Sequence, residues 1–144
     1  MSTLTIMRGL PGSGKSSWVR KYRPVEKVLS ADDFFMTSKG YAFYPGGLIE
    51  AHARVLCGLL DALDAGEDVV VDNTHSRLCE FMVPLHIARK FDADVTVVSL
   101  YDGGMSNEEL AARNIHHVPL MVIERMRDQW ETCDSEMRLF WRHT

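Results

Sequence analysis

Gly9, Gly14, Lys15 and Ser16 fall in the spacing G-x-x-x-x-G-K-S inside the stretch GLPGSGKSS. That spacing suits a triphosphate. Glycines let backbone N–H groups turn inward around phosphate oxygens with no Cβ in the way. Lys15 brings a mobile point charge to the β- and γ-phosphates. The Ser16 hydroxyl is a ligand for Mg2+. Pro11, Gly12, Ser13 and Ser17 complete the expected nucleotide-binding set. ATP and Mg2+ are therefore the expected cofactors, and a nucleotide is the first expected partner.

A bound nucleotide does not name the reaction. Moving a phosphoryl group to a hydroxyl needs a base that positions and deprotonates the acceptor, and a group that holds the metal. Asp32 and Asp33 follow an apolar run in VLSADDFF, and Asp72, Asn73 and Thr74 follow another in VVVDNTH. Asp32 suits the base and Asp72 the metal. Asp33 reads as an acceptor contact or as a turn cap. Asn73 and Thr74 read as acceptor-side groups. Arg113, late in SNEELAARN, reads as a lid arginine that neutralises charge on the transferring phosphoryl group. Tyr41, Phe43 and Tyr44 in YAFYPGG offer rings for stacking on a base, or an anchor for their own loop. Arg77 could bind an acceptor phosphate or simply be a first-turn surface arginine. His116 and His117 are adjacent, share no helix face and make a poor metal pair, so they read as lid or hinge residues. His52 reads as a helix-surface or packing residue. Arg20 to Arg23, RKYR, read as solvated.

These groups need a frame that gathers them. Short apolar runs alternate with helical patterns, which predicts an α/β domain with a mainly parallel sheet. Strands are expected at Leu4 to Arg8, Lys27 to Ser30, Asp68 to Asp72 and Asp94 to Asp102. Ligands of such sheets gather beyond the C-terminal strand ends. Helices are expected from Lys15 to before Pro24, over LIEAHARVLCGLLDALDAG, and from Arg77 to Phe91. A fourth begins at SNEELAARN with a Ser106–Glu109 capping box, and a fifth has Pro119 in its first turn. In the second helix Leu48, Val55, Leu56, Leu59, Leu60 and Leu63 lie near helical spacing, and Gly66 ends it. Phe34 to Gly47 reads as a loop. The tail SEMRLFWRHT reads as a short helix or strand.

The 144 residues suit one domain, 1–144, with 46% hydrophobic and 25% charged residues. No apolar run reaches the roughly 20 residues of a membrane span, and the N-terminus lacks a signal-peptide pattern. Cys57, Cys79 and Cys133 form no C-x-x-C pair and read as free thiols in a reducing cytoplasm. Sixteen Lys and Arg against twenty Asp and Glu leave a formal charge of -4, which disfavours extensive grip on a long duplex. No N-K-x-D motif occurs, so a guanine-reading switch is not expected. The short length points to a small kinase rather than AAA+ machinery.

RGLPGSGKSS, LSADDFF, Y-x-F-x-P, EAH, VVVDNTH and ARNIHHVP occur in that order. Together they resemble the P-loop kinase family that includes the kinase domain of phage polynucleotide kinase and the eukaryotic ATP-binding proteins similar to it. The resemblance implies a three-layer P-loop NTPase fold: a four-stranded parallel sheet of order 2-3-1-4, flanking helices and a small helical lid. It implies transfer of the γ-phosphate of ATP to a hydroxyl, a polynucleotide 5′-hydroxyl first of all, with single-stranded or terminal 5′-OH nucleic acid as partner. It implies that Asp32 is the general base, that Arg113 contacts the ATP phosphates, and that Asp72, Asn73 and Thr74 line the acceptor side. Phe35 and His117 stand where that family carries arginines. A kinase of a small nucleoside-like or other hydroxyl acceptor, and a non-catalytic ATP-binding module, are the alternatives.

Overall fold

The structure, a computed structural model, describes residues 2–132. The expected tail element and Cys133 lie outside the described residues. Two stretches, Thr3–Gly9 (β1) and Val69–Asp72 (β5), are almost wholly buried along their length. They are rich in β-branched and aliphatic residues because helices cover both faces of the sheet they centre. Lys27–Leu29 (β2) pairs with β5, and Asp94–Tyr101 (β6) pairs with β1, all in parallel. The order β2-β5-β1-β6 is the expected 2-3-1-4, counted over the strands of this sheet.

Alternation along β1 splits the core. Leu4 and Ile6 join Val69, Val71 and Val97 against helices Leu48–Asp64 (α2) and Leu78–Lys90 (α3), which contribute Val55, Leu59, Phe81 and Leu85. Met7 joins Val70 and Val98 on the other face, against Val19 and Trp18 of helix Lys15–Tyr22 (α1). Burying a side chain the size of Leu59 contributes about 1.5–3 kcal/mol. A third cluster, Leu10, Leu110 and Ile123, packs helices Asn107–Arg113 (α4) and Leu120–Asp128 (α5) beside the phosphate loop. The Ser106–Glu109 capping box is present in full. Gly66, at φ 75, closes the end of α2 in the left-handed conformation that favours glycine.

Several local expectations are corrected. Leu48 and Leu60 are exposed, and Ala51 and Ala62 take their places on the buried face of α2. Small residues bring that helix close to the sheet, and reading only its leucines hid this. β2 ends at Leu29. Ser30 instead caps a 3-10 turn, Ala31–Phe35, by accepting from the Asp32 N–H at 3.2 Å. The expected loop contains a hairpin of Met36–Thr37 (β3) and Gly40–Tyr41 (β4). Pro119 is the N-cap of α5 rather than part of its first turn. Arg23 is not simply solvated, for its Nε donates to Thr5 Oγ1 at 3.0 Å and its guanidinium lies 5.3 Å from the Trp18 ring.

Candidate active site

The phosphate loop leaves β1 at Gly9 and enters α1 at Lys15. Gly12 and Gly14 have φ of 82 and 103, a region costly for residues with a Cβ. A Cβ on Gly12 would lie 2.5 Å from the Leu110 carbonyl oxygen, so the bare α-carbon lets the end of α4 close against the loop. No side chain caps the first turn of α1, and its N–H groups stay available to an anion. The Ser13 hydroxyl is buried in the loop without a hydrogen-bond partner among the described residues.

Lys15 Nζ donates to the carbonyls of Gly9 at 2.9 Å and Leu10 at 3.3 Å. Burial pushes its ammonium below the usual lysine range, while the charges of Asp72 and Asp32 oppose that shift. Ser16 Oγ donates to Asp72 Oδ2 at 3.3 Å. Burial raises the Asp72 carboxyl, Lys15 and Ser16 pull it down, and Asp32 and Asp33 raise it further. Three carboxylates, one ammonium and one hydroxyl therefore share a field. Ser16 and Asp72 are the pair suited to a divalent cation, since Mg2+ keeps several waters and needs few protein oxygens.

Asp32 sits on the 3-10 turn rather than at a strand end. Tyr41 Oη donates to its Oδ1 at 3.1 Å, and His116 Nε2 lies 3.4 Å from its Oδ2. The Tyr41 and His116 rings stack, with centroids 4.2 Å apart. Burial and the Asp32 carboxylate hold the Tyr41 phenol above its ordinary range. Asp33, on the same turn, is exposed at the surface. Its carboxyl is raised by partial burial, against a hydrogen bond with the Ser30 backbone.

The remaining expected residues separate. Asn73 Oδ1 accepts from the Ala31 N–H at 2.9 Å, bracing the turn that carries Asp32. The Thr74 carbonyl accepts from the Gly9 N–H at 3.1 Å, tying the end of β5 to the loop. Ser17 is exposed and accepts from Arg20 along the surface of α1. Arg113 is exposed as the last residue of α4, on the helix end that packs on Gly12. Arg77 is exposed at the N-cap of α3. Pro11 is half-buried in the loop.

Three groups escaped the sequence reading. His75 is buried at a φ of 48, with Nδ1 2.6 Å from the Met7 carbonyl oxygen. Burial first, and then the charge of Arg8, push its imidazole down to about 4, against the pull of that carbonyl. Arg127 donates to Asp102, Asn107 and the Met105 carbonyl, fastening α5 to the start of α4. Arg8 is buried between the rings of Phe81 and Trp130 and donates to the carbonyls of His75, Ser76 and Glu131. Its signal was available: a charge inside the apolar strand LTIMRG must be paired.

Residues 4–133 match a protein-family profile described as an AAA domain. The chain belongs to that family. Among relatives of this AAA domain, human NEDD4-binding protein 2 is 31% identical over 133 residues, covering 89% of the chain and 8% of the relative. The chain thus spans less than a tenth of that protein. A chain of the Pnkp1/Rnl/Hen1 RNA repair complex superposes with a TM-score of 0.69 at 24% identity, over 89% of this chain and 43% of that one. Kti12 of Chaetomium thermophilum, solved with ADP-AlF3, gives 0.69 at 14% identity, over 98% and 88%. The chain has the P-loop kinase-like fold. The short length does not by itself separate a small kinase from an AAA description.

Proposed function

We propose that residues 1–144 form a single kinase domain that moves the γ-phosphate of ATP to a hydroxyl. The observation that carries the reading is the Asp32 carboxylate, hydrogen-bonded by Tyr41 and within the electrostatic reach of Lys15. A module that only binds ATP has no need of a carboxylate there, because negative charge opposes the γ-phosphate. In the proposed step the acceptor O–H gives its proton to Asp32 as the new O–P bond forms. The bond between the γ-phosphorus and the β,γ-bridging oxygen breaks, and ADP leaves. Lys15, released from the Gly9 and Leu10 carbonyls, faces the β- and γ-phosphates. Arg113 neutralises charge on the moving group. Ser16 and Asp72 would hold Mg2+, which supplies positive charge against the phosphate oxygens when bound. The uncapped start of α1 and the unpartnered Ser13 hydroxyl fit a triphosphate.

The acceptor we favour is a polynucleotide 5′-hydroxyl, with Asp33, Tyr41, Asn73, Thr74 and Arg77 on its side. The order of motifs supports it, as does the likeness to a member of an RNA repair complex. One observation favours a smaller hydroxyl acceptor instead. Phe35, where an arginine for an acceptor phosphate is expected, is 2% exposed and belongs to the core. Radiolabelled ATP offered with 5′-OH DNA, 5′-OH RNA, nucleosides, simple polyols or no acceptor decides between them. Labelled nucleic acid is the expected product. Asp32→Asn should leave ATP affinity equal or better while transfer falls roughly 10²-fold or more. Loss of binding and transfer together would make Asp32 structural. A wild type that labels nothing on the panel would make the protein a binding module. The cytoplasm is the proposed location, and no described helix is long and apolar enough to cross a membrane.

A further inference from the structure

His116 lies three residues beyond Arg113, in the turn that leaves α4. It meets Asp32 across the mouth of the site, with Nε2 3.4 Å from Oδ2, while Tyr41 donates to Oδ1. Tyr41 and His116, from two separate segments, thus close around one carboxylate, with their rings tilted against each other at 4.2 Å between centroids.

We infer that His116 is a positioning residue for Asp32, holding the plane of the carboxylate so that a hydroxyl entering beside the phosphate loop meets a fixed oxygen. The inference rests on the reading of Asp32 as the base. Asp32 is on a short turn and its side chain is 48% exposed, so its own element does not hold it still. A misplacement on the order of 1 Å at a reacting group costs about 10²-fold in rate. A carboxylate offers about four lone-pair sites. Tyr41 takes one on Oδ1, and His116 Nε2 stands 3.4 Å from Oδ2, so each oxygen keeps a site for the acceptor.

Both donors are themselves held. Tyr41 packs edge-on against the buried Phe35, at 6.1 Å between centroids. His116 sits in a turn closed by Asn114, whose Oδ1 accepts from the Val118 N–H at 2.7 Å and whose Nδ2 donates to the Ala111 carbonyl at 3.0 Å. The same turn carries Arg113 at its start, so one short segment relates the phosphate side of the site to the base.

The test is steady-state transfer by wild type, His116→Ala and His116→Gln, with ATP affinity measured separately. The glutamine amide keeps a donor near the place of Nε2. His116→Ala should lower kcat about 10-fold or more with the KM for ATP within about two-fold, and His116→Gln should restore most of it. Wild-type kcat in His116→Ala overturns the inference while leaving the kinase reading intact. So does a parallel loss of ATP affinity that glutamine does not repair, since that marks a merely structural lid residue. A wild type that phosphorylates no acceptor overturns both. Imidazole ring resonances give a readout independent of turnover: those of His116 should move in Asp32→Asn and in Tyr41→Phe. Resonances unmoved in both would remove the contact itself.

Discussion

Acid should unfold this protein partly through His75. The folded ring is pushed down to about 4 by burial, whereas an imidazole in the unfolded chain takes its proton near 6.5. Between those values the unfolded chain binds more protons, so stability falls as the pH drops. The contribution is fully present above about pH 6.5 and lost by about pH 4. The gap is worth about 3 kcal/mol, a large part of the 5–15 kcal/mol that typically holds a domain together. His75→Asn isolates it. Asparagine tolerates the φ of 48, keeps an N–H to aim at the Met7 carbonyl and does not titrate. The lost ring volume costs about 1–3 kcal/mol at every pH. Urea unfolding of both proteins at pH 7, 5.5 and 4 should show the wild-type advantage falling by about 3 kcal/mol, so that it vanishes or reverses by pH 4, while groups common to both cancel. A difference constant to about 0.5 kcal/mol across that range would refute the reasoning and mean that folding leaves the proton affinity of His75 unchanged.

Lys15→Ala should weaken ATP binding and abolish transfer, and calorimetric affinity equal to wild type would count against the loop as a phosphate cradle. Arg113→Ala should lower turnover on the order of 10²-fold with an unchanged melting temperature, since the side chain is exposed; wild-type kinetics would remove it from the site. Gly12→Ala places a methyl group 2.5 Å from the Leu110 carbonyl at a left-handed φ. It should cost at least about 1–2 kcal/mol, lower the melting temperature by a few degrees and separate α4 from the loop. A melting temperature equal to wild type would show that α4 does not rest on Gly12.

The buried strands, the phosphate loop and the capping box were legible because each is local: a run of valines, a fixed glycine spacing, a serine three residues before a glutamate; the strand order followed only from the family resemblance. The pairing of Ser16 with Asp72 was legible through topology, since β1 and β5 are neighbours and end together. The surroundings of Asp32 were not. Tyr41 belongs to a hairpin and His116 to a turn whose closure depends on Asn114, and no periodicity announces either. The ring face of Tyr41 that could stack on a base is taken by His116, while its hydroxyl serves Asp32. Phe35 shows the same limit from the other side: the position where the related family carries an arginine is filled by the core.

Arg8 bears on where the fold can be cut. Among the described residues, its acceptors His75 and Ser76 lie just past β5, but Glu131 lies beyond α5, beside the Trp130 ring that covers the guanidinium. The Glu131 side chain also accepts from the Leu78 N–H at the start of α3. A fragment trimmed at the end of α5 would keep every strand and helix named above, yet strip a buried cation of the Glu131 carbonyl and the Trp130 ring. A shortened version of this chain must therefore reach past Glu131 rather than stop at the last helical turn.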